Sequence, residues 1–141
     1  MKYMNEEILT GMIQGTIIPD ATKNGEFDPS DLSSVEHNME LELKCISKHY
    51  GRVMIERKKY DELFDLPNEP KLRYVVSTPK GVWSFDLRKI IIPDDWWQQI
   101  LIGNVSTHFH RNINETYKLV AFLPLGWAKN ISTQIGWEQG M

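Results

Sequence analysis

The stretch SDLSSVEHNMELELKCI, residues 30–46, carries most of what can be read about the architecture. Asp31 to Val35 has the length and composition of a short strand, Glu36-His37-Asn38 of a turn, and Met39 to Ile46 of a second strand. The side chains of a strand alternate between its faces. Met39, Leu41, Leu43 and Cys45 therefore point one way, and Glu40, Glu42 and Lys44 the other. The segment reads as a β-hairpin with one apolar and one charged face.

Folding the chain about His37 brings Asp31 beside Glu42, with Lys44 two residues further along the same face. Two neighbouring carboxylates repel unless something positive lies between them. A hard divalent cation, Mg²⁺ or Mn²⁺, takes oxygen ligands of this kind, and the carbonyl of Leu43 can complete the set. The ammonium of Lys44 is placed to stabilise developing charge or to orient a water nucleophile. These parts suit phosphodiester hydrolysis, in which a metal polarises a phosphoryl oxygen and activates its bound water.

At these residues the chain resembles the PD-(D/E)xK, or restriction-endonuclease-like, superfamily of nucleases. The match is Asp31, ten intervening residues, then Glu42-Leu43-Lys44. Downstream, KLRYVVSTPKGVWSFDLRKI has the look of the paired strands that follow a short helical segment in small homodimeric restriction enzymes. The resemblance implies an α/β (α+β) fold with a central mixed sheet flanked by helices. It also implies Mg²⁺ on Asp31 and Glu42, water assistance by Lys44, and a homodimer or homotetramer acting on double-stranded DNA in restriction or homing. The literal Pro-Asp pair falls at Pro19-Asp20, 21 residues before Glu42, and Asp28 is a third candidate. Asp31 is preferred because the hairpin sets it opposite Glu42. Glu6 or Glu7 could add an outer ligand.

Around the hairpin, Asn5 to about Gln14 reads as a helix capped by Asn5, with Ile8, Leu9, Met12 and Ile13 on one face. Arg52 to Ile55 is a third apolar run, and Lys58 to Phe64 a helix with Tyr60, Leu63 and Phe64 inward. Leu72–Ser77 and Val82–Leu87 are expected as strands joined by Thr78-Pro79-Lys80-Gly81. Asp94 to Ile100 reads as a short helix anchored by Trp96, Trp97 and Ile100, and Tyr117 to Leu123 as a last strand. The tail from Gly126 could form a helix with Trp127, Ile131 and Ile135 on one side. In the polar stretch from Gly103 to Glu115, residues His110, Arg111, Asn112 and Asn114 are candidates for touching DNA.

The 141 residues suit one domain, and 41% hydrophobic with 25% charged residues is ordinary globular composition. Cys45 is the only cysteine, so no disulfide can form within the chain. No signal peptide and no run near the roughly 20 apolar residues of a membrane helix is visible, which points to the cytoplasm and away from membranes. A net charge of −3 argues against coating nucleic acid through bulk positive charge, but acids in a metal-binding cleft are compatible with cutting it. Glu56-Arg57-Lys58 repeats the ExK pattern without a partner acid and reads as surface charge. The rival to a nuclease is a phage or immunity-type interaction protein, or a catalytically inactive nuclease fold. Its acids would be solvated and Trp96, Trp97 and Trp127 would form the contact.

Overall fold

Asn5 begins the first helix as its sequence suggests. Its side-chain Oδ1 accepts from the Ile8 N–H at 2.8 Å, and Glu6 and Glu7 occupy the first turn of α1 (Glu6–Gly15), where the helix dipole favours acids. Leu9 and Ile13 are fully buried. Asn5→Ala should lower stability by about 1 kcal/mol, read as an earlier urea midpoint with an unchanged slope.

The structure, a computed structural model, describes residues 4–102 and 116–137. After α1 come β1 (Thr22–Lys23), β2 (Leu32–Ser34), β3 (Met39–Cys45), β4 (Arg52–Glu56) and α2 (Arg57–Phe64). Then follow β5 (Lys71–Thr78), β6 (Gly81–Asp86), β7 (Gln98–Ile102), β8 (Thr116–Pro124) and β9 (Lys129–Asn130). One sheet has six strands in the order β1-β2-β3-β5-β6-β9, and a second has three in the order β4-β8-β7. β3 and β5 are parallel while the other neighbours in the larger sheet are antiparallel, so the sheet is mixed. The expected α/β class, with a central mixed sheet and helices, is thus observed.

The hairpin closes as its residues suggest. Asn38 takes the left-handed conformation (φ +48°) that Asn tolerates, and its N–H donates to the Val35 carbonyl at 3.2 Å. The β5–β6 hairpin turns at Pro79-Lys80, and Gly81 is required there. Its φ is +150°, and an added Cβ would sit 2.5 Å from Ser132 Oγ.

The two faces of the larger sheet carry separate cores. Leu41, Leu43, Val75 and Val82 pack against Leu9 and Ile13 of α1 and against Ile131 and Ile135. On the opposite face Leu72, Tyr74, Val76 and Phe85 pack against Val53, Ile55, Leu63 and Leu123. β5 is covered on both sides, which explains its nearly unbroken run of apolar and β-branched residues. Fully burying each large apolar side chain contributes about 2 kcal/mol.

Two expectations are corrected. Asp94–Ile100 is not a helix. Only Asp94–Trp96 makes a 3₁₀ turn, and the chain then extends as β7 to pair with β8. Trp96 stacks on Trp127 (centroids 5.0 Å apart, planes at 15°), while Trp97 meets Tyr60 edge-on. Pairing and aromatic packing override the local helical pattern. Nor does an α-helix form among the described residues from Gly126 to Trp137, where the chain opens with a 3₁₀ turn at Leu125–Trp127. β9 pairs with the edge of β6, and the Ile131 N–H donates to the Val82 carbonyl at 2.9 Å, satisfying groups that an open edge would leave bare. β4 lies in the second sheet beside β8 and covers the face that bears Glu42. No described helix is long and apolar enough to cross a membrane.

Candidate functional site at the Asp31–Glu42 strand edge

The register of β2 on β3 pairs Leu32 with Leu41, so the next position back sets Asp31 opposite Glu42. The Asp31 N–H donates to the Leu41 carbonyl at 2.9 Å. Its Oδ2 then accepts from the Leu43 N–H at 2.8 Å, closing the strand edge where β2 ends. The N–H and C=O of one strand residue point to the same side, so the Leu43 carbonyl also faces this edge. Asp31 keeps one carboxylate oxygen free of that backbone bond.

The Glu42 side chain is only 16% exposed, on the face covered by β4 and α2. Oε1 is buried and has no hydrogen-bond partner among the described residues. Oε2 lies 3.8 Å from Lys59 Nζ, and that ammonium donates to the Pro29 carbonyl at 2.6 Å. Burial, reinforced by the Asp31 carboxylate and offset in part by Lys59, pushes the Glu42 carboxyl up to about 8. Glu6 at the start of α1 is raised as well, first by burial and then by Asp31. The three acids thus sense one another's charge, and each added negative charge makes the next harder to hold.

Glu42 opens into a cavity of about 320 Å³, also walled by Lys44, Lys58, Lys59, Lys118 and Tyr74. Tyr74 pairs with Glu42 in the β3–β5 register, and its hydroxyl donates to the Met54 carbonyl at 2.8 Å. Burial raises its phenol, so it stays neutral. Glu56 joins the lining and is bound by Lys118 at 3.1 Å. Four lysines therefore face this cavity, against three glutamates when Glu62 is included.

Asp31 lies beside Glu42, and Glu42, Leu43 and Lys44 line one cavity, while the rival aspartates lie elsewhere. Asp20 accepts from Ser34 Oγ at 2.7 Å and from the Glu36 N–H at 3.0 Å, at the turn end of the hairpin. These bonds hold its carboxyl below the usual range. With Glu36 and His37 it forms a group whose potential ligand atoms all lie within 4.8 Å, but its carboxylate is already engaged in ordering the turn. Asp28 Oδ2 accepts from the Gly25 N–H at 2.6 Å and closes its own turn. Glu40, on the same strand face as Glu42, is held by the hydroxyls of Ser30 and Ser33.

Glu56-Arg57-Lys58 lies at the surface as its sequence suggests, with Glu56 and Lys58 on the wall of the cavity. Lys59 and Lys118 were invisible to sequence reading. The only local hint for Lys59 is its place in a basic run at the start of α2, and nothing near Lys118 links it to Glu42. The DNA-contact candidates His110, Arg111, Asn112 and Asn114 lie outside the described residues.

Comparison with known proteins gives no family: no family model matches, and neither a curated protein nor a solved structure is detectably similar.

Proposed function

We propose that this chain is a divalent-metal-dependent phosphodiesterase of the PD-(D/E)xK type. Its specific activity in this reading is that of an endodeoxyribonuclease on duplex DNA, of restriction or homing character, working as a homodimer or homotetramer. One observation carries the reading: Glu42, buried beside Asp31 with its carboxyl pushed up to about 8, lines a cavity together with Lys44 and three further lysines. In chain order β4 stands between the Glu42 strand and α2, and the β5–β6 pair follows α2.

The donor set fits Mg²⁺ or Mn²⁺. Asp31 and Glu42 are neighbouring hard-oxygen donors in the β2–β3 register, and the Leu43 carbonyl lies on the strand edge that Asp31 closes. When bound, such an ion supplies Lewis acidity toward a phosphoryl oxygen and a more acidic water. The protein's own groups do the rest. Lys58 and Lys118 draw the anionic backbone toward the cavity. Lys44 offers its ammonium to charge developing on the attacked phosphate or to the incoming water. Asp31 holds the edge of β3 through the Leu43 N–H, so the carbonyl beside it stays in place. Glu42 must lose its proton to serve as a ligand, so metal binding releases a proton and strengthens with pH.

The test is supercoiled plasmid incubated with the protein in Mg²⁺, Mn²⁺ or EDTA, beside Asp31→Asn. The wild type should nick or linearise it only with metal, and the variant should fail. Without DNA, millimolar Mn²⁺ should raise the melting temperature of the wild type but not of Asp31→Asn. Absence of both effects would transfer the chain to the class of non-catalytic interaction proteins.

A further inference from the structure

We infer that a second cavity, next to the proposed metal site, holds the base of one unpaired nucleotide in the DNA. The inference rests on the nuclease reading for the placement of the phosphate. This cavity measures about 260 Å³ and shares Lys44 and Met54 with the first, so the two adjoin. Its remaining walls include Ile46, Tyr50, Arg52 and Phe122. The character of the lining changes sharply between them. The first cavity mixes lysines with glutamates, whereas the second is largely apolar and carries two cations and no carboxylate.

A ligand that satisfies both has an anionic group joined to a flat apolar body, which is the makeup of a nucleotide. The Arg52 guanidinium lies 4.2 Å from the centroid of the Phe122 ring, so the cation is already held against an aromatic face. Tyr50 is 56% exposed and offers a second ring at the mouth. Aromatic and guanidinium planes accept any base by stacking, without reading its identity. A base inside intact duplex cannot reach such a cavity. It must leave the stack, which is least costly where it has no partner. The preferred substrate is therefore duplex DNA carrying an unpaired nucleotide beside the cut phosphate.

The experiment measures affinity by fluorescence anisotropy in EDTA, where no cutting proceeds. Three labelled duplexes are compared: one with a central unpaired thymidine, one fully paired, and one with the unpaired nucleotide made abasic. The full-length protein should bind the first roughly ten-fold more tightly than either control. Tyr50→Ala should erase that difference and leave affinity for the paired duplex intact, as should Ile46→Trp, which fills the cavity from its wall. Equal affinity for base and abasic duplexes overturns the inference, as does a preference that survives both substitutions. A fall in oligomeric mass on Tyr50→Ala, seen by sedimentation, also overturns it by assigning the cavity to a second copy of the chain. The two proposals fail separately. A protein that prefers the unpaired base yet never cuts in Mg²⁺ or Mn²⁺ keeps this cavity and loses the nuclease reading. One that cuts with no base preference does the opposite.

Discussion

Glu42→Gln should abolish metal-dependent cutting and, in EDTA at pH 9, make the protein more stable than the wild type. The Glu42 carboxyl titrates at about 8 in the folded chain against an ordinary 4.5, because ionising it places charge in a buried site beside Asp31. Its folded value is raised, so the sign follows. The stability associated with protonated Glu42 is fully present below about pH 4.5 and is lost as pH climbs through about 8. At pH 9 the folded state carries the whole penalty, roughly 3–5 kcal/mol. A neutral amide of the same shape escapes it. Thermal melting should show the variant about 5–15 °C above the wild type at pH 9. The gap should close toward pH 4.5. Mn²⁺ should narrow it from the other side, by stabilising only the wild type. A variant that melts below the wild type at pH 9 would mean that the carboxylate is well compensated, and the case for a cation there would collapse.

The second large effect concerns the ammonium groups. Lys44→Ala should reduce cutting about 10²–10³-fold, the usual loss when one preorganised charge facing a transition state is removed. Its folding stability should change by no more than about 0.5 kcal/mol, since the side chain is half-buried at a cavity rim and not in either core. Lys59→Met should do less to the rate. That lysine is occupied by the Pro29 carbonyl at 2.6 Å and by Glu42 at 3.8 Å, tying α2 to the segment that leads into Asp31. Lys44→Arg should restore little, because a forked guanidinium does not occupy the point position of an ammonium. Single-turnover rates on plasmid separate these variants. A larger loss for Lys59→Met than for Lys44→Ala would move the working charge from β3 to α2.

Much of this site is local in origin. The two-residue period of Met39–Cys45 assigns Leu41 and Leu43 to one face and Glu42 and Lys44 to the other. Asn38 supplies the turn, and the resulting register sets Asp31 opposite Glu42. Spacing alone left Asp20 and Asp28 as rivals, and they were separated only by where their carboxylates are bound, at Ser34 and at Gly25. The same limit explains the misread helix at Trp96-Trp97, since its residues suit a helical face as well as an aromatic cluster and a strand. Which of these forms depends on the partner β8 offers.

By itself the sequence determined the hairpin, its register and the placing of Asp31 opposite Glu42, because strand alternation and turn chemistry are properties of neighbouring residues. It could not determine whether that charged face meets water. The face is covered because β4 leaves for a second sheet and α2 lies over the strand, bringing Lys59 to Glu42 from 17 positions further along the chain. Desolvation depends on what packs above a side chain, so the raised Glu42 carboxyl and its lysine-lined cavity belong to the tertiary structure alone.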